Sequence, residues 1–382
     1  MKTIAINLVT FNRPEALNYS LKCFERAKYP GLKLNIINNG SGLSTTNILN
    51  KYKNRLNCSI INIQNNKDIK SLITEISLNT NADLIAPFVA DDDFFHEKSL
   101  TYIDQAFSNR DINVLTGGYI KYNLAERKVD KRWKVSDLDS FQFPVMYKAG
   151  KEAVNEFCSY WGIGIRQNVP LWQAHSSTTF VRKKIIEKTI RKQGSILLGK
   201  FGDVGLLGML YQTDYVAFLP NLVAVVCQSR NSDSKHESSK ADRTFAHVDP
   251  SSCEYSPLKQ ASFINIGLDS HLEVLTKNEH YNSKTHQIRL DFFVHHIQQL
   301  LCSKPDFKLP RDILDSLKYV KQVFGEKALY SIIDLNFPNI KMQTEVINEE
   351  LKLCGNNQRA KNLTFITQKN IQDLDYILSA RI

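Results

Sequence analysis

Three consecutive carboxylates, Asp91, Asp92 and Asp93, stand between an apolar run at 84–90 and the pair Phe94-Phe95. Carboxylates at the end of a buried strand repel one another, so the fold must supply something that compensates them. A divalent cation bridged to a diphosphate is the most economical choice, because hard cations prefer carboxylate oxygens and fill their remaining positions with phosphate. The triplet on its own reads equally as a solvated acidic loop that caps the next helix. Two further clusters of short polar residues shift the balance. Thr10, Phe11, Asn12 and Arg13 follow the first apolar run, and Asn38, Asn39, Gly40 and Ser41 follow the second. Gly40 supplies a turn, while Thr10, Asn12 and Asn38 carry short groups able to bond a nucleobase or ribose. Singly, each is ordinary turn or cap chemistry.

The elements that would position these groups are legible as apolar runs. Residues 4–9, 34–37, 59–63 and 84–90 are nearly continuous rather than alternating, as expected for strands buried on both faces. Pro14 suits the first turn of a helix whose Leu17, Leu21, Phe24 and Ala27 fall on one face. Ile48, Leu49, Tyr52 and Leu56 mark a second helix, and Ile69, Leu72, Ile73 and Ile76 a third. Units of roughly 25–30 residues fit parallel βα repeats with right-handed crossovers. The expected fold class is therefore α/β, an open and mostly parallel sheet flanked by helices. In such sheets ligands bind beyond the carboxyl ends of the strands. All three polar clusters fall there.

Composition bounds the rest. The chain has 382 residues, 42% apolar and 23% charged, which is ordinary globular usage. No apolar run is long enough to span a bilayer, and Asn7, Thr10 and Asn12-Arg13-Pro14 interrupt the opening too early for a signal peptide. Seven scattered cysteines without a Cys-x-x-Cys pair suggest reduced thiols, no zinc site and a cytoplasmic protein. The net charge is +10, with basic clusters at 121–134 and 182–192, the second including Arg182, Lys188 and Arg191. Such clusters are solvated helix faces or surfaces for anionic headgroups, a diphosphate or nucleic acid. No nucleic-acid motif accompanies them, so no nucleic-acid partner is expected. From about Ser256 the pattern turns helical, with Ile288 to Leu301 and Leu314 to Val323 as apolar helices and a weaker one at 347–353. Two regions are expected, 1–245 and 246–382. The second is a helical C-terminal region that packs on the first or self-associates into a homo-oligomer. His295 and His296 are adjacent, project in different directions and so share no metal.

The opening Ile6-Asn-Leu-Val-Thr-Phe-Asn-Arg-Pro-Glu-Ala-Leu resembles the first strand and T-x-N-R nucleotide loop of GT-A-fold glycosyltransferases of the family 2 type. Asn38-Asn39-Gly40-Ser41 stands where that family has Asp-Asp-Gly-Ser, and Asp91-Asp92-Asp93 where it has its metal-binding D-x-D. Phe201-Gly202-Asp203-Val-Gly-Leu-Leu is similar to its E-D-x-x-L segment, and the resemblance covers roughly residues 1–240. It implies a metal-dependent, inverting glycosyltransferase of the hexosyltransferase type, with Mn²⁺ or Mg²⁺ as cofactor and a nucleotide-sugar donor, UDP by default. Thr10, Phe11, Asn12, Arg13, Asn38, Asp91 and Asp92 would bind the nucleotide, and Asp91 and Asp93 the metal. Asp92 also remains a candidate metal ligand, since the acidic motif does not register uniquely. Asn38 replaces a charged acceptor with a neutral carbonyl. Asp203 would be the base that takes the acceptor proton, or alternatively a helix N-cap.

The region after residue 228 is polar and reads as a lid over the donor or a plain surface loop; His236 there is a third metal candidate and Arg230 a diphosphate contact. Trp172, His175 and Ser176 lie between the acidic triplet and Asp203, where an acceptor must reach, and Trp172 could stack on a sugar face. The acceptor implied is a glycan or lipid-linked saccharide, which admits peripheral contact at the inner face of a membrane. Bacterial surface polysaccharide is the destination on family grounds alone. Two other classes stay open: a sugar-phosphate nucleotidyltransferase, and a non-catalytic nucleotide- or glycan-binding module. The first normally has a glycine-rich loop after strand one, and Thr10 to Pro14 has no glycine.

Overall fold

The computed structural model describes residues 1–64, 69–109, 111–123, 128–133, 140–148, 154, 175–199, 204, 206–228, 253–260, 262–278, 288–303 and 311–336. Strands β1 (Ile4–Thr10), β2 (Leu32–Asn39), β3 (Cys58–Ile63) and β4 (Leu84–Ala90) alternate with helices α1 (Pro14–Ala27), α2 (Leu43–Tyr52) and α3 (Lys70–Asn79). They are followed by β5 (Asp93–Phe95), α4 (Ser99–Asn109), β6 (Val114–Asn123), β7 (Lys128–Trp133) and β8 (Val145–Lys148). A 3₁₀ turn at Ser176–Thr178 then leads into β9 (Thr179–Arg182), α5 (Lys183–Gln193), α6 (Leu207–Leu210) and β10 (Tyr215–Gln228). The C-terminal helices are α7 (Phe263–Lys277), α8 (Leu290–Ser303), α9 (Arg311–Phe324) and α10 (Glu326–Asn336).

The strands form one sheet in the order β3-β2-β1-β4-β9-β6-β10-β5, with β7 beside β6 and β8 beside β10. Neighbours β3, β2, β1 and β4 are parallel, as are β6 and β10. β9 runs antiparallel to both β4 and β6 between them. The fold is thus the expected open, mostly parallel α/β sheet, with helices following the sheet in sequence. Ile4, Ile6 and Leu8 of β1 pack with Leu17, Leu21 and Phe24 of α1 and Ile103 and Phe107 of α4 on one face. The other face carries Ile73 of α3, Ile185 of α5 and Leu210 of α6. Leu268, Phe293, Val320 and Ile332 from α7 to α10 belong to that same second core. The C-terminal helices therefore share a hydrophobic core with the sheet. Among the described residues no helix is long and apolar enough to cross a membrane.

One buried polar ladder crosses the parallel strands. Pro87 in β4 has no N–H to give, and the β1–β4 register shifts between Ile6 and Leu8. Asn7, fully buried in β1, donates through Nδ2 to the Pro87 carbonyl at 3.2 Å and to Ser77 Oγ at 2.9 Å. Its Oδ1 accepts from Asn35 Nδ2 at 2.8 Å, and Ser59 Oγ donates to Asn35 Oδ1 at 3.0 Å. Asn7→Leu should destabilise the fold by about 1–3 kcal/mol, because it strands buried Ser77 and the Pro87 carbonyl away from water. An unchanged urea midpoint would show that the ladder can re-pair.

Burial also writes a pH dependence into the C-terminal helices. His271 is held at about 4 by desolvation. His296 is held at about 3, first by desolvation and then by His295. His296 Nε2 faces Gln260 Oε1 at 2.6 Å, and its ring stacks on Phe292. Both rings stay neutral in the fold, while the unfolded chain gains two protons as pH falls past about 6.5. Stability is therefore complete above that pH and is lost as pH drops toward the folded values. The two rings together should remove about 4 kcal/mol between about pH 7 and about pH 5. Chemical denaturation at those two pH values measures it, and a flat profile contradicts it.

Candidate functional site at the carboxyl edge of the sheet

The site begins where β1 ends. Thr10 is fully buried, and Asn12 takes a left-handed conformation (φ 50°), which a short amide side chain tolerates. That kink reverses the chain so that Arg13 becomes the N-cap residue of α1 with Pro14 behind it. Asn12 N donates to Ser41 Oγ at 3.0 Å, and Gly42 N donates to Asn12 Oδ1 at 2.8 Å. These bonds stitch the loop after β1 to the loop after β2. In the second loop Gly40 has φ 81°, a backbone open to glycine, and Asn38 is held at both ends. Asn38 Oδ1 accepts from Ser41 N at 3.2 Å, and Nδ2 donates to Asn62 Oδ1 at 2.9 Å. Phe11 and Leu43 stand out at the rim, 38% and 76% exposed.

The acidic triplet lies beside these loops and is not a solvated loop. Asp91, Asp92 and Asp93 are only 0%, 5% and 3% exposed. Asp91 and Asp92 make the turn between β4 and β5, and Asp93 opens β5. β10 anchors that turn through the Asp93–Val226 pairing and a 3.2 Å bond from Cys227 N to the Asp92 carbonyl. Thr10 Oγ1 donates to Asp91 Oδ2 at 2.6 Å. Arg13 Nη1 donates to Asp92 Oδ2 at 2.7 Å, while Nη2 lies 2.7 Å from Asp91 Oδ1 as an ion pair that leaves this buried oxygen without a hydrogen bond. Burial raises Asp91 to about 7, against the pull of Arg13; Asp92 pushes the same way as burial, and Thr10 pulls back. Asp93 Oδ2 accepts a short hydrogen bond from Ser177 Oγ.

Ser177 reaches Asp93 because β9 is antiparallel. Its last residues pair with the start of β4, so the 3₁₀ turn before it comes back to the carboxyl end of β4. His175 lies at the head of this turn, accepting from Ser177 N through Nδ1 at 3.3 Å and packing its ring 4.9 Å from that of Tyr119. His175 is half-buried at the site, whereas Ser176 is 4% exposed and offers no surface to an incoming acceptor. Ser177 is the residue that sequence reasoning missed. Its only signal is membership of the hydroxyl run from Ser176 to Thr179, which resembles many loops.

Asp91 and Asp93, the expected metal pair, have different protein partners. Asp91 faces Thr10 and Arg13, and Asp93 faces Ser177. Among the described residues no three of His, Cys, Asp and Glu gather in a way that could hold a metal ion. Asp203, His236, Arg230 and Trp172 lie outside the described residues. Their neighbours place part of the frame: Val204 and Leu206 to Leu210 are buried in the second core.

No protein-family model matches the chain, and no curated protein matches it. Solved structures do resemble it. Staphylococcus aureus TarS 1–349 in complex with UDP-GlcNAc is similar at 12% identity and TM-score 0.47, over 87% of this chain and 84% of that one. TarS 1–349 alone gives 12% and 0.45, over 86% and 90%. The mannosyltransferase PcManGT from Pyrobaculum calidifontis, in complex with GDP-Man and Mn²⁺, gives 10% and 0.43, over 88% and 81%. Likenesses this distant assign no activity, so any assignment must come from the residues of the site.

Proposed function

We propose that the chain transfers a sugar from a nucleotide-sugar donor to the hydroxyl of a glycan or lipid-linked acceptor. One observation carries the reading: three polar clusters far apart in sequence meet at the carboxyl edge of β1, β2 and β4, where an open α/β sheet receives a nucleotide. Phe11 offers an exposed ring for the base to stack on, and the adjoining loop is fixed by the Asn38 amide, which bonds Ser41 and Asn62. Arg13 is a positive group next to the place where a diphosphate develops charge. Asp203 takes the proton of the acceptor hydroxyl as that oxygen attacks the anomeric carbon opposite the nucleotide; the bond to the diphosphate breaks, the nucleoside diphosphate leaves and the centre inverts. His175 stands on the acceptor side. UDP as the nucleotide, a hexose as the sugar and surface polysaccharide as the product extend this reading.

A divalent cation, where one binds, would act as a Lewis acid on the leaving diphosphate. The described carboxylates do not assemble a holder for one, so no step here depends on it. A nucleotidyltransferase is disfavoured because the loop from Thr10 to Pro14 lacks the glycines that wrap a triphosphate. The test is a panel of UDP-, GDP-, ADP- and CDP-sugars screened by thermal stabilisation. A ligand at about a hundred times its Kd should add about 2.7 kcal/mol. Proton NMR of the product with the stabilising sugar then reports its anomeric configuration. No stabilisation by any nucleotide sugar would refute the proposal.

A further inference from the structure

Two of the three carboxylates in the triplet already share a counter-ion that belongs to the protein. Arg13 Nη2 and Nη1 each lie 2.7 Å from an oxygen, one on Asp91 and one on Asp92. A guanidinium is charged at every relevant pH, is more weakly hydrated than an ammonium, and matches two carboxylates with one rigid fork. Mn²⁺ and Mg²⁺ instead require about six oxygen ligands at short range. The second Asp91 oxygen is engaged by Thr10, and Asp91 is sealed from solvent. Asp93 is engaged by Ser177. A divalent ion entering here would have to displace Arg13 or sit against it as a like charge.

We infer that Arg13 is the resident cation of this site, so the triplet takes up no divalent metal by itself and nucleotide binding needs none. The clause on nucleotide binding rests on the glycosyl-transfer reading; the clause on metal uptake rests on the geometry alone. Arg13 keeps about a quarter of its side chain in solvent, 23%, so it can meet a diphosphate without leaving the carboxylates.

The experiment has two arms on the full chain. In the first, Mn²⁺ alone is titrated and the free ion followed by electron paramagnetic resonance. The wild type should leave the ion free, and Arg13→Lys, which keeps a charge there, should do the same. Arg13→Met should take up one ion on the released carboxylates. Should Arg13→Met fail to fold, the wild-type titration still decides. Uptake of Mn²⁺ by the wild type that Asp92→Asn abolishes overturns the inference. In the second arm, calorimetry measures UDP, GDP, ADP and CDP binding in EDTA and in saturating Mn²⁺. Affinities should agree within about twofold, and a loss of about tenfold or more in EDTA overturns the inference. Binding of no nucleotide in either buffer defeats the glycosyl-transfer reading, while the first arm still settles whether Arg13 is the cation.

Discussion

Arg13→Ala should lower the stability of the fold by about 3–5 kcal/mol, because it leaves two buried carboxylates without their counter-ion. The lower end of that range is favoured. Asp91 already sits at about 7 with Arg13 present, so without Arg13, and with no metal ion added, it would take up a proton rather than stay charged. Asp92 then carries most of the penalty. For a chain of this size the change corresponds to a fall in Tm of roughly 4–6 °C. Arg13→Lys should recover only part, since one ammonium cannot fork to both carboxylates. Calorimetric or CD melting of the three proteins is sufficient. An Arg13→Ala protein as stable as the wild type would mean that solvent or another residue neutralises the triplet.

Asp203→Asn should lower the transfer rate by about 10²–10⁴-fold, the usual contribution of a positioned general base. Asparagine keeps the shape and accepts hydrogen bonds but cannot hold the acceptor proton. Donor affinity should remain unchanged, because the groups proposed to bind the nucleotide belong to the loops after β1, β2 and β4. The described neighbours make the variant a fair test of chemistry. Val204, Leu206 and Leu207 are buried, so apolar residues anchor the segment beside Asp203. The measurement is single-turnover transfer from whichever sugar nucleotide stabilises the protein, set beside its Kd. Full activity in the variant would show that a different group receives the proton. An equal loss in rate and in donor affinity would point to a structural N-cap instead.

Much of the frame can be read directly from the chain. The runs at 4–9, 59–63 and 84–90 became β1, β3 and β4 almost residue for residue. β1 and β4 are buried on both faces, as an unbroken apolar stretch implies, but β3 stands at the sheet edge with Ser59 and Asn62 exposed, so its expected burial was wrong. The run at 34–37 grew into Leu32–Asn39, and the apolar helices from Ile288 and Leu314 became α8 and α9. β5 to β9 were not anticipated. β5 is a three-residue strand that starts inside the acidic triplet, and β9 has four residues, Thr179–Arg182. Segments so short carry no periodicity, and it is their partners across the sheet that make them strands. The weak helix expected at 347–353 lies outside the described residues.

The amino-acid sequence by itself determined which residues would stand at the carboxyl edge, because strand ends and turn residues are local properties of the chain. Thr10 to Arg13, Asn38 to Ser41 and Asp91 to Asp93 could all be placed there from patterning alone. How those groups pair was decided by the tertiary structure. Arg13 and Asp92 are 79 residues apart, and Ser177 and Asp93 are 84 apart. Such contacts depend on β4 lying beside β1 and on β9 returning antiparallel to it, an order set by the packing of the whole sheet. The sequence therefore showed that the acidic triplet needed a positive partner. The fold supplied one from the end of β1.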